Sequence, residues 1–144
     1  MTTTAPHRVT APSHRPFRSR TLAVTAAVLA ALVVWIVADP LLGIDLTVRT
    51  TPGGSSVQTI GPALVLAVSL LASLLGWGLL AGLERRTHRA DSIWTITAGV
   101  VLLLSLAGPL TAAITTAAAA TLMLLHLSVA AVLIPSLRRT ASPR

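Results

Sequence analysis

The residue that first invites chemistry is His126, the one ionisable side chain well inside the apolar stretch "TLMLLHLSVAAVLIPSLRR" at 121–139. An imidazole held away from water can bind a ligand, relay a proton, or donate and accept hydrogen bonds, and ionisable groups in membrane segments are functional candidates by default. Turning at about 100° per residue, its helix face also carries Ala112, Thr115, Ala119 and Ala130, a small and partly polar face suited to a bundle interior. At a similar depth in neighbouring segments lie Gly76, Trp77 and Gly78, and Thr97 and Gly99. Trp77 and Thr97 therefore join His126 as the candidate lining of a ligand or proton site. The competing reading is structural and carries more weight: a neutral histidine needs only one or two partners, such as a threonine hydroxyl.

Little else in the chain has the spacing that chemistry needs. Asp39 and Asp45 are too few for a dedicated cation site and read as solvated acids or partners of Arg49. "RTHR" around His88 lacks metal-ligand spacing, and there is no cysteine for a disulfide, thiol redox chemistry or a thiolate site. Phosphate loops, nucleophile elbows and paired catalytic acids are absent as motifs. With one buried candidate group and no constellation around it, neither an enzyme nor a bound cofactor or metal is expected.

The elements that must position His126 follow from composition. Of 144 residues, 53% are hydrophobic and 10% charged, and mean hydropathy is +0.81, which would leave a soluble domain of this size with excessive apolar surface. The net charge of +7 comes wholly from 11 arginines, because lysine is missing. Those arginines sit between apolar runs rather than on a polar face, which argues against nucleic acid and for membrane flanks. Arginine without lysine or tyrosine also fits high-GC bacterial coding.

Four apolar runs are read as spans: about 21–38, 62–83, 93–108 and 110–134. The first is uncharged from Thr21 to Ala38, roughly 27 Å as a helix, and is expected to be an uncleaved anchor rather than a signal peptide. Gly61-Pro62 suits the start of the second, and Asp91 or Ser92 could cap the third. Gly108-Pro109 reads as a tight reversal, and Pro135 as the stop of the fourth. Residues 1–19 read as a disordered basic cytoplasmic tail, and 140–144 as a second tail. Between the first two spans, Ile44, Leu46 and Val48 alternate with polar residues, "TPGGSS" supplies a turn, and 57–60 can pair back as a short β-hairpin. The expected fold is all-α: a membrane-spanning four-helix bundle with a short extracytoplasmic loop.

Four spans put both termini on one side, together with every arginine but Arg49. The positive-inside rule makes that side the cytoplasm, with Arg20, Arg85, Arg86, Arg89, Arg138 and Arg139 as topology anchors and anionic lipid as a natural partner of that face. Trp35 and Trp94 are placed near the two boundaries. Ala23, Ala27 and Ala31, Ser69 and Ser73, Ala72 and Gly76, and Gly78 and Gly82 recur at the four-residue spacing that lets helices approach closely, either within the bundle, which is favoured, or in a homo-oligomer or a complex with another membrane protein.

The segments "DPLLGIDLTV", "GPALVLAVSLLASLLGWGLLAGLER", "LLLSLAGPL" and "MLLHLSVAAVLIPSLRR", taken in order, resemble a family of unknown function made of small four-helix membrane proteins from actinomycetes. The likeness covers about 21–139, with Gly61-Pro62, Trp77, Glu84-Arg85, Gly108-Pro109, His126 and Pro135 at its recurring positions. It implies a membrane location and four spans, and brings no established activity. The reading that follows is an integral plasma-membrane protein, multi-pass with both termini cytoplasmic, acting as a non-catalytic structural or interaction component. The alternative is a small transporter or lipophile-binding bundle with a cavity in its cytoplasmic half near His126.

Overall fold

The computed structural model describes residues 15–51 and 54–140. Its order is α1 (Arg15–Ile36), which runs on into one π-helical turn (Val37–Leu41), then β1 (Thr47–Arg49), β2 (Val57–Thr59), α2 (Pro62–Arg86), α3 (Ala90–Ala112) and α4 (Thr116–Arg138). All four helices are long and apolar enough to cross a membrane. The expectations for 1–14 and 141–144 lie outside the described residues. Residues 15–19, assigned from sequence to the tail, are instead the first turn of α1.

Two other boundaries differ from expectation, both at proline. α3 passes through Gly108-Pro109 to Ala112, and the reversal falls at 113–115. There Thr115, in extended conformation, caps α4 by accepting a hydrogen bond from the Ala118 amide at 3.1 Å. α4 in turn passes through Pro135 to Arg138. Proline's φ is compatible with a helix, and apolar helices packed on neighbours tolerate its missing amide more readily than the usual stop rule implies. α3 begins at Ala90 with no side-chain cap, so Asp91 and Ser92 lie inside the helix. The α2–α3 turn is braced by Thr87, whose hydroxyl accepts from the Arg89 amide.

The helices alternate in direction, so the start of α1 and the end of α4 meet at one end, here the terminus end. α1 packs most extensively on α4, then on α2, and α3 leans on α4. Ala23, Ala27 and Ala31 are all buried, as are Ser69 and Ser73, so these small residues serve close packing within the single chain. Gly78 and Gly82 face open space instead. One apolar cluster, with Ala27, Leu80, Trp94, Leu133 and Leu137, fills the terminus end. A second, with Ala31, Val65, Leu122 and Leu125, fills the hairpin end.

The opposite end carries the expected hairpin, β1 antiparallel to β2 with Thr47 opposite Thr59 and Arg49 opposite Val57. A two-stranded hairpin is marginal alone. This one is anchored by the fully buried Leu46, by the Trp35 indole donating to the Ile60 carbonyl at 2.9 Å, and by a bridge from Val48 to Ala113. The Ile114 amide donates to the Thr47 carbonyl at 3.3 Å, so β1 is flanked on both sides. α1 reaches the hairpin through Gly43, the one described residue with positive φ, at +66°, where glycine turns the chain without a Cβ clash.

Candidate functional site

A cavity of about 550 Å³ runs lengthwise beside His126. Its walls come from single faces of three helices. α2 supplies Leu64, Val65, Val68, Ser69, Ala72, Leu75, Gly76 and Leu79; α3 supplies Trp94, Thr97, Ala98, Val101, Leu102 and Ser105. α4 supplies Leu122, Leu125, His126, Val129, Ala130, Leu133 and Ile134. Steps of three and four residues keep each set on one side of its helix. None of the α4 residues is exposed, whereas Val68, Leu75, Leu79 and Val101 are. α4 is therefore the floor, and the groove opens sideways between α2 and α3. Ile60, from the hairpin, and Ala31 complete the lining at the hairpin end.

The structure joins two of the three sequence candidates here. His126 and Thr97 both line the groove, but Trp77 does not. Trp77 turns instead toward α1, where its ring meets that of Phe17 with centroids 5.2 Å apart and planes inclined at 59°. The tryptophan in the wall is Trp94, 1% exposed, which sequence reasoning had placed at the membrane boundary. Its indole N–H donates to the Gly76 carbonyl at 2.7 Å. The helices are closely apposed there: a Cβ added at Gly76 would sit in ordinary contact with Leu133 at 3.4 Å and Trp94 at 3.9 Å. Nor is the groove confined to the cytoplasmic half assigned to it: it extends from Ile60 at the hairpin end to Leu79 and Ile134 beyond His126.

His126 bonds to its own helix. Its Nδ1 lies 2.7 Å from the Leu122 carbonyl, and a carbonyl only accepts, so Nδ1 carries the proton. The hydroxyl of Thr97 likewise donates to the Ile93 carbonyl one turn back, at 2.8 Å. Among the described residues, no three potential metal ligands cluster anywhere. Asp45 accepts from the Thr47 hydroxyl, while Arg49 forms no ion pair among the described residues.

The arginines divide into two kinds. Arg85, Arg86, Arg89, Arg138 and Arg139 are exposed at the terminus end, as anchors would be. Arg20 is buried: it pairs with Glu84 at 2.6 Å and donates to the Thr140 hydroxyl at 3.1 Å and carbonyl at 3.0 Å. One guanidinium thus ties the start of α1 to the ends of α2 and α4. From sequence, Glu84 stands out only through the resemblance, as part of Glu84-Arg85, and no partner is assigned to it there.

Four antiparallel apolar helices around a lateral groove define a small bundle of the multi-pass membrane class. The chain belongs to a family of unknown function, DUF6069, whose model matches residues 12–143, somewhat more than the stretch that carried the resemblance. No curated protein and no solved structure shows significant similarity to it.

Proposed function

We propose that this is an integral plasma-membrane protein, with both termini and the α2–α3 turn in the cytoplasm, that holds a lipophilic molecule in the groove between α2 and α3. The cavity of about 550 Å³ touching His126 carries this reading, because pockets for small molecules are concave, mostly apolar and of this size. A purely structural bundle would close-pack that space and hydrogen-bond the imidazole to a neighbouring helix; here the ring bonds to Leu122 of its own helix. The sideways opening favours entry from the bilayer. Five exposed arginines at the terminus end support the orientation and a contact with anionic lipid headgroups, each contributing about 1 kcal/mol. The lysine-free composition supports a high-GC bacterial source. No catalytic step is assigned, since among the described residues only one ionisable group lines the groove.

The test is saturable binding of a fluorescent hydrocarbon probe, a pyrenyl alkane, to protein in nanodiscs. Tryptophan-to-pyrene energy transfer should exceed that of a randomly distributed probe and should fall when Ala98→Phe or Ala130→Phe fills the groove. Transfer that never saturates, or that ignores both substitutions, overturns the proposal. A second copy could also cover α3, of whose most apolar window only 11% is buried, and a monomeric mass in nanodiscs would exclude that arrangement.

A further inference from the structure

Resting on the groove as a lipophile site, the geometry points to a particular class of ligand: a neutral lipophile that carries a hydroxyl, donating it to His126. Every side-chain donor in the wall is already bound to a backbone carbonyl. Ser69 donates to Val65 at 2.6 Å, Thr97 to Ile93 at 2.8 Å and Ser105 to Leu102 at 2.8 Å. Trp94 donates to Gly76 at 2.7 Å, and His126 through Nδ1 to Leu122 at 2.7 Å. What the three hydroxyls and the imidazole can still offer a ligand is lone pairs, while the indole, a donor only, has nothing further to give.

His126 offers the best of them. With Nδ1 donating to Leu122, the neutral form of the ring has its acceptor at Nε2, and no other described residue bonds to it. An acceptor in an apolar groove is stabilised by any donor that reaches it, and water is a poor competitor at membrane depth. A ligand O–H satisfies Nε2 and buries its chain against the leucines and valines. A carboxylate brings only more acceptors and a charge with no cation in the lining, and an ester, ether or ketone brings acceptors alone. The groove therefore selects long-chain alcohols and phenols over their methylated, oxidised or anionic counterparts.

Hexadecan-1-ol and 1-methoxyhexadecane share a chain and differ in the donor. The experiment has each displace the pyrenyl alkane from the full chain in nanodiscs, with affinities expressed per membrane mole fraction. The alcohol should bind about 5- to 10-fold more tightly than the ether, the range a single hydrogen bond supports, and hexadecanoate should bind least. His126→Phe keeps an aromatic ring but no acceptor, and should bring the alcohol-to-ether ratio to about 1 while leaving displacement by the ether intact, which also reports a folded groove. His126→Leu serves the same purpose if the phenyl ring packs poorly. Equal displacement by alcohol and ether in the parent protein overturns the donor inference and leaves the groove standing. Displacement by neither overturns the groove itself.

Discussion

Glu84→Ala should loosen the terminus end of the bundle, and its size can be worked from the contacts around Arg20. Removing one partner of a fully buried ion pair costs about 3–5 kcal/mol, because the other charge stays buried without compensation. The Arg20 and Glu84 side chains are 9% and 19% exposed, and Thr140 would still accept two of the three bonds that the guanidinium donates to Glu84 and Thr140. Both facts reduce the loss, to about 2–3 kcal/mol for Glu84→Ala. Arg20→Ala removes all three bonds but leaves the more exposed carboxylate, so about 3 kcal/mol is expected. If the pair acts as a unit, the double variant should lose little more than either single one, a coupling of about 2 kcal/mol. The assay is equilibrium unfolding by SDS in mixed micelles, followed by circular dichroism, for the parent, both single variants and the double. Raising the salt should change the coupling little, since the pair is largely shielded from solvent. Additive losses, with coupling below about 0.5 kcal/mol, would refute the clamp.

Three further outcomes can be read in the same unfolding assay. Trp94→Phe removes the bond to Gly76 and part of the ring from the core, and should cost about 1–2 kcal/mol. Gly43→Ala should cost about 1 kcal/mol through the backbone alone, because nothing lies within 4 Å of the added Cβ, and Gly43→Asn should recover part of the loss. Ser73→Ala should stabilise the protein by about 1 kcal/mol, because this buried hydroxyl has no hydrogen-bond partner among the described residues; a loss of stability there would show that the hydroxyl is satisfied in the membrane.

The four helices were legible because long uncharged apolar runs bounded by arginine admit few other structures. The hairpin was legible from alternation and a glycine-rich turn. The ends at Pro109 and Pro135 were not, because a proline announces a lost amide but not whether the surroundings tolerate the loss. At the site, rotation decided what depth alone could not. His126 lines the groove, but of the helical face read for it only Ala130 does so too, because Ala112 ends α3 and Thr115 caps α4; Trp77 was placed only by its level in the membrane. Counting threes and fours from Thr97 reaches Trp94, Ala98, Val101 and Ser105, all in the wall, and the same count through Val68, Ala72, Leu75 and Leu79 passes Trp77 by. That signal was present in the sequence. The pairing of Arg20 with Glu84 was not, since the two are 64 residues apart and only the fold brings them together.

The hairpin end has a consequence for how the molecule tolerates mutation. The bonds that join β1 to β2 and to the α3–α4 reversal run between backbone groups, which nearly any side-chain replacement leaves in place. At the other end, beyond the apolar cluster around Trp94 and Leu137, the polar tie between helices runs through one guanidinium and one carboxylate, and a single codon change can remove either. Random sequence change therefore acts on the two ends unequally. It frees the helices first beside the arginine-rich termini and leaves them gathered at the hairpin, so a weakened molecule splays from one end and does not come apart as a whole.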